Sequence, residues 1–226
     1  MGRLALLAVV VGFFSLGLAQ PAAAVIVDSA DDSFVVDFGG NIGGNDVAGL
    51  TASARVDVES ISSNRIVLSI RLQNTSTSLW QSSRVSAFGF DTGPNVSSAT
   101  LTSSVFGNVN LDGRFPNGFG GVDVCIINNR NNCSGGGGGG LNLGQSTQLL
   151  LTLNFHGPIT AVELDNFGVR YQSLTSTSLG FAGASGTGIP GSPNNPIPEP
   201  RSTAMFILGG LIVAALVHKQ VLTARS

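Results

Sequence analysis

The residues able to do chemistry in this 226-residue chain are few, and its only two cysteines are the most informative of them. Cys125 and Cys133 lie eight positions apart, and in an oxidising compartment such a pair most simply forms one disulfide. Closing so short a loop stabilises a fold by about 2.5 kcal/mol, so we expect its loss to cost no more and to leave the domain folded. Free thiols, a zinc site and a redox pair are the alternatives, but zinc needs two further soft ligands and redox pairs usually have closer spacing.

His156 is the second candidate, at the end of a predicted strand and directly before Gly157 and Pro158. A serine hydrolase would combine this histidine with a serine and an acid such as Asp165. However, the chain lacks the Gly-x-Ser-x-Gly turn that exposes and orients such a serine. We therefore predict a turn histidine and no enzyme activity.

The carboxylates form two groups, Asp57 with Glu59 on one strand and a second group near the N-terminal end of the domain: Asp28, Asp31, Asp32 and Asp37. Paired carboxylates serve glycoside hydrolysis or Ca²⁺ binding. The segment 39–46, rich in glycine and closed by Asp46, is similar to a single glycine-aspartate calcium repeat, which cannot stack alone. We predict solvated faces and turns here, with no metal and no cofactor.

The elements that position these residues show a period of two, which is typical of strands with one buried face. Apolar residues alternate through 52–58 and again through 66–72, so we predict a hairpin across the turn at 62–64. Further predicted strands, separated by turns rich in Gly, Asn and Pro, cover residues 25–28, 34–38, 85–90, 99–105, 147–155 and 160–172. This pattern predicts an all-β, antiparallel, jelly-roll-like β-sandwich.

Charge is sparse and excludes one class of function. Charged residues make up 11% of the chain, against about 25% in ordinary soluble domains. Between residues 25 and 197, seven arginines and twelve carboxylates leave a net charge of −5. Nucleic-acid binding requires a basic patch, so no nucleic-acid partner is expected.

Residues 1–24 have the pattern of a secretory signal peptide. Arg3 precedes an apolar run that is too short to span a bilayer, and Ala22 and Ala24 occupy the small-residue positions of a cleavage site. We predict a signal helix that signal peptidase removes after Ala24. The domain at 25–190 is then exported from the cytoplasm.

A different pattern marks the other end of the chain. Residues 191–197 are a linker without periodicity, Pro198-Glu199-Pro200 follows, and residues 204–217 form an apolar stretch closed by His218 and Lys219. Extended to residues 203–222, this stretch approaches the length of a transmembrane helix, and the positive charge at its end places the tail in the cytoplasm.

A Pro-Glu-Pro tripeptide, an apolar helix with a central glycine pair (Gly209-Gly210) and a short basic end resemble a PEP-CTERM sorting signal over residues 198–226. The segments 122–134 and 166–173 are similar to PEP-CTERM ectodomains, the former to the "cistern" subgroup. This resemblance implies processing by an exosortase in a Gram-negative bacterium that makes extracellular polysaccharide. It also implies a transient inner-membrane anchor, followed by the cell surface or extracellular matrix.

Two functions remain open from the sequence. The first is a non-enzymatic surface or matrix protein associated with exopolysaccharide or biofilm, with extracellular polysaccharide as a candidate partner. The alternative is a lectin-like carbohydrate-binding module, in which Trp80 and Tyr171 would stack on sugar rings beside an Asn/Asp loop.

Overall fold

The computed structural model describes residues 24–128, 132–135 and 138–190, and every regular element in these ranges is a β-strand. The strands, named in chain order, are β1 Val25–Val27, β2 Ser33–Ile42, β3 Asn45–Ser62, β4 Arg65–Asn74, β5 Ser82–Gly93, β6 Val96–Ser103, β7 Asn108–Phe115, β8 Gly120–Ile127, β9 Leu141–Asn142, β10 Ser146–Phe155, β11 Val162–Ser176 and β12 Phe181–Pro190. The predicted signal helix, linker and C-terminal helix lie outside these residues, except that the first described residue is Ala24.

The strands form one antiparallel sheet that rolls up and nearly closes into a barrel. Its order is β6-β10-β4-β3-β2-β12-β11-β5-β8-β7, with β1 added to β11 and β9 added to β5. The two end strands, β6 and β7, contact each other without hydrogen-bonded pairing. The prediction of an all-β antiparallel fold is therefore confirmed.

The continuity of the sheet comes from β12, which the sequence analysis did not predict. This strand pairs with β2 on one side and β11 on the other, and so joins a group of five strands to a group of four. Gly186 and Gly188 make the close packing possible, because a Cβ on either would lie about 2.5 Å from its neighbours.

The predicted hairpin is confirmed as β3 and β4, and it shows how the core is built. Val56 pairs with Ile70 and Ala54 with Leu72, and all four side chains are buried. The inward apolar residues of the other strands complete one core that includes the phenylalanines of β2, β5 and β11. Burying a side chain of this size contributes roughly 1.5–3 kcal/mol, which makes the alternation the main determinant of the fold.

Tyr171 lies fully buried in this core, and its hydroxyl has no hydrogen-bond partner among the described residues. Burial disfavours the ionised form of this phenol and so raises its pKa well above the ordinary value. A buried hydroxyl without a partner costs about 1–3 kcal/mol of desolvation. The side chain therefore destabilises the fold through its oxygen atom while its ring stabilises it.

We expect Tyr171→Phe to raise the free energy of unfolding by about 1 kcal/mol, because it removes the unpartnered oxygen and keeps the ring. Trp80→Phe is the contrasting variant, because the Trp80 indole N–H donates a 3.1 Å hydrogen bond to the Ala48 carbonyl and its loss should lower stability. Urea unfolding of both variants measures the two effects. A urea midpoint lower for Tyr171→Phe than for the wild type would contradict the conclusion that the Tyr171 hydroxyl destabilises the fold.

Candidate functional site

A cleft lies where β2 and β3 separate. The two strands pair up to Gly39 and Thr51, and the pairing resumes at Asn41 and Asp46. Residues 47–50 of β3 therefore stand opposite the single residue Gly40. This large bulge separates the two strands and leaves a cleft between them.

Contacts from the neighbouring loop and from β2 fix the bulge. Gly49 has a φ of +68°, a conformation that favours glycine, and its carbonyl accepts a 2.8 Å hydrogen bond from the Thr77 amide. The buried Trp80 indole donates to the Ala48 carbonyl and stacks on Phe181. Leu50 then covers Gly40, where a Cβ would lie 2.4 Å from the leucine Cγ.

The resulting cleft has a volume of about 430 Å³. It is lined by Asp37, Phe38, Gly39, Gly40, Asp46, Val47, Leu50, Thr51, Ala52, Thr75, Ile189 and Pro190. The register places Gly39 between Ile189 on β12 and Thr51 on β3, and a Cβ at Gly39 would meet nothing within 4 Å. We call the open space beside Gly39 the notch. The cleft combines this notch with apolar side chains, hydroxyl groups and two carboxylates, all of which are able to contact a ligand.

A second, more open cleft of about 520 Å³ runs along β7. Residues 109–114 form one side, and residues 132–134 of the disulfide loop form the other. Its exposed polar groups include Asp112, Arg114 and Asn132. The cleft presents amide and charged groups beside a strand edge.

An acidic row crosses the outer face of three adjacent strands, β8, β5 and β11. Asp91 pairs with Asp165, and its carboxylate accepts a 2.9 Å hydrogen bond from the Asp123 amide. Partial burial, followed by the charges of Asp91, Glu163 and Asp123, raises the pKa of Asp165 above its ordinary value. Across the described ranges, no group of three or more His, Cys, Asp or Glu is arranged to hold a metal ion.

The acidic row predicts a pH-dependent stability. Because the pKa of Asp165 is higher in the folded state, the folded protein holds this proton more tightly than the unfolded chain does. The stabilisation of the folded state by this proton is complete below the pKa of Asp165 in the unfolded chain, near 3.8. It is lost as pH rises through the higher pKa of the folded state. We expect Asp165→Asn to raise the melting temperature at pH 7 and to make little difference at pH 3.

The control for this prediction is Asp57→Asn, because Asp57 pairs with Arg55 at 2.8 Å instead of facing other acids. This change should leave stability unchanged or slightly lower at pH 7. Thermal unfolding across pH 3–7 compares the two variants. Equal shifts for both would rule out repulsion within the acidic row.

The disulfide lies in a second apolar cluster, on the outside of the sheet. Cys125 and Cys133 are bonded, with their Cα atoms 6.1 Å apart, and both are almost fully buried. They pack with Ala87, Phe115, Val122 and Ile127, against which the partly buried Phe119 also packs. The disulfide loop therefore covers apolar surface as well as closing a ring.

Arg170 anchors the same loop from β11. The residue is 6% exposed, and its guanidinium donates hydrogen bonds to the Ser134 carbonyl at 3.0 Å, the Gly186 carbonyl at 2.8 Å and the Ser185 hydroxyl at 2.9 Å. Burial lowers the pKa of this guanidinium. One side chain thus connects β11, β12 and the disulfide loop, a role that the sequence did not reveal because Arg170 looked like any other surface arginine.

The glycine run after the disulfide is also in close contact with the sheet. At Gly140, where φ is +116°, a Cβ would lie 2.2 Å from the Val85 carbonyl oxygen. The Gly139 carbonyl accepts a hydrogen bond from the Arg84 guanidinium. Only glycine permits this approach at position 140.

The structure does not bring the sequence candidates together into one site. His156 is exposed on its turn, and Asp32 accepts hydrogen bonds from the amides of Asp28 and Ser29 in a turn of its own. Trp80 and Tyr171 are buried, so neither can stack on a sugar. The predicted sorting residues Pro198, Glu199 and Pro200, and Ala22 of the cleavage site, lie outside the described residues.

Comparison with known proteins adds no assignment. No protein-family model matches the chain, and no curated protein matches it. In the part of the chain that the structure describes, no helix has the length and apolar character needed to span a membrane.

Proposed function

We propose that the chain is an exported, non-enzymatic surface or extracellular-matrix protein associated with exopolysaccharide or biofilm. The observation that carries the proposal is the Pro198-Glu199-Pro200 tripeptide ahead of the apolar stretch at 203–222, in a chain that opens with a signal-peptide pattern. The buried disulfide supports it, because disulfides persist in oxidising compartments outside the cytoplasm.

The proposal assigns each part of the chain a role. Signal peptidase removes residues 1–24, residues 25–190 form the ectodomain, and 191–197 is the linker. Residues 198–226 hold the chain in the inner membrane until an exosortase processes them. The ectodomain is sandwich-like in this proposal, with its two strand groups on either side of one core.

The described side chains support a non-catalytic role. The serine whose surroundings come nearest to a Gly-x-Ser-x-Gly pattern is Ser185, within residues 183–186. Its hydroxyl accepts a hydrogen bond from Arg170, and His156 is exposed on a turn, so no hydrogen bond of a nucleophile with its base joins these two residues. The two clefts are lined by carboxylate, hydroxyl, amide and apolar groups, which are able to hydrogen-bond and pack against a ligand.

Sorting is tested with two variants. We expect Glu199→Ala, and deletion of residues 203–222, to change the final location and the mature mass of the protein, because the proposed signal lies there. Glu59→Ala is the matched control, since it removes an exposed glutamate from β3. Cell fractionation with intact-mass measurement decides the question. Wild-type location and mass in both test variants would refute the sorting proposal.

A lectin-like module is the second candidate function, and the cleft along β7 is the observation that favours it. Its exposed carboxylate, guanidinium and amide groups can hydrogen-bond sugar hydroxyls without an aromatic platform. Pull-down with purified polysaccharide, comparing wild type with Arg114→Ala, tests this candidate. Absence of binding by the wild-type chain would exclude it.

A further inference from the structure

The cleft at the β2–β3 bulge carries an inference that goes beyond the proposed function. We propose that it binds an aliphatic diamine, a ligand with two ammonium groups joined by a short hydrocarbon chain. The proposal follows from three features of the cleft: where its carboxylates lie, what its floor and walls are made of, and the charge of the domain around it.

The two carboxylates lie on opposite sides of the Gly39 notch. Asp37 precedes Gly39 by two positions on the same face of β2, and Asp46 pairs with Asn41, two positions beyond it. The Asn41 side-chain amide donates a 3.0 Å hydrogen bond to one Asp46 oxygen and so orients that carboxylate. A ligand lying across the notch would have one carboxylate near each end, which matches two ammonium groups.

The middle of the cleft suits a hydrocarbon chain. The Gly39 position leaves open space where any other residue would place a Cβ. Ile189, which is 44% exposed, and Pro190 form one side of this space, and Val47 extends the apolar lining. The volume of about 430 Å³ lies within the range of small-molecule sites.

The surrounding charge favours a cation. Residues 25–190 contain twelve carboxylates, seven arginines and no lysine. The resulting net charge of −5 attracts cationic ligands over a distance of about one Debye length.

The chain provides a reporter for the test, because Trp80 is its only tryptophan and holds the wall of the bulge through Ala48. Tryptophan fluorescence of the full-length chain is titrated with 1,5-diaminopentane, and calorimetry gives a second readout. We expect saturable binding with a dissociation constant on the order of 1 mM. We expect 1-aminopentane to bind about fivefold more weakly and 1-pentanol to give no saturable signal.

Gly39→Val fills the notch without requiring a positive φ, and we expect it to weaken diamine binding at least about tenfold. Gly157→Val is the matched control, since a Cβ there also meets nothing within 4 Å and lies outside the cleft. Should Gly39→Val fail to fold, Asp46→Asn against Asp112→Asn gives the same comparison at two exposed carboxylates. We expect only Asp46→Asn to weaken binding.

Three results would overturn the proposal. The first is unchanged diamine binding by folded Gly39→Val or by Asp46→Asn. The second is equal binding of 1-pentanol and the diamine, which would show that charge plays no part. The third is tighter binding of Nα-acetyl-lysine amide than of the diamine, which would assign the cleft to a lysine side chain of a polypeptide partner.

Discussion

Arg170→Met should lower the free energy of unfolding by about 3 kcal/mol, or the melting temperature by about 6–12 °C. The Arg170 side chain is buried, and its removal breaks a buried hydrogen bond to the Gly186 carbonyl and a partly buried one to the Ser134 carbonyl. A buried acceptor without a partner costs about 1–3 kcal/mol, which outweighs the desolvation recovered by removing the charge. Arg170→Lys should be nearly as unstable, because an ammonium group cannot reproduce the planar fork.

The matched control is Arg55→Met on β3. The Arg55 side chain is about half exposed and pairs with Asp57 on the surface, so its loss should cost less than about 1 kcal/mol. Denaturant unfolding of both methionine variants measures the difference. Equal stability losses would show that Arg170 is an ordinary surface arginine.

Removal of the disulfide should have the larger effect. We expect Cys125→Ala combined with Cys133→Ala to lower the free energy of unfolding by about 4 kcal/mol. The sequence analysis set the limit at the loop-entropy value of about 2.5 kcal/mol, on the assumption of a surface loop. Both cysteines are instead buried in the outer apolar cluster, and the loop carries Ser134 to Arg170, so packing and hydrogen bonding are lost as well.

Urea unfolding of the double cysteine variant, beside the oxidised wild type, measures this loss. The inner core lies on the other side of the sheet, so the variant should keep its β-sheet circular dichroism. A loss below about 2.5 kcal/mol would mean that the loop contributes entropy alone.

The two predictions are coupled through the loop. Since the Ser134 carbonyl reaches Arg170 from the residue next to Cys133, removing the disulfide already weakens that hydrogen bond. The triple variant should therefore lose less stability than the sum of the separate losses, by about 1 kcal/mol. If the triple variant instead loses the full sum, the disulfide and Arg170 stabilise the fold independently.

The amino-acid sequence was sufficient to predict a strand where one of its faces is buried and the other is exposed to solvent. The β3–β4 hairpin has that alternation, and its strands pair as predicted, although both extend beyond the predicted ranges. The strands β7 and β8 were not predicted, although Val109 and Leu111 show a weak period of two that could have indicated β7. In β12 the pattern is absent, because Gly186 and Gly188 stand where a Cβ would clash with atoms of β2 and β11.

The sites could not be predicted for a different reason. The cleft depends on a bulge that Trp80 and Thr77 hold by contacts across distant parts of the chain, which no local pattern encodes. The lectin-like alternative placed Trp80 against a sugar, whereas its single polar atom satisfies a backbone carbonyl from a buried position. Amphipathic rings give the same sequence signal in both settings.

The central claim, export of a disulfide-bonded surface protein, is tested most directly by intact-mass spectrometry of the wild-type chain with thiol alkylation. The account predicts that protein recovered from the cell exterior begins at Val25, lacks part of the segment 198–226 and takes up no alkylating reagent under denaturing, non-reducing conditions. A full-length chain that still begins with Met1, remains inside the cell and alkylates at both Cys125 and Cys133 would contradict it.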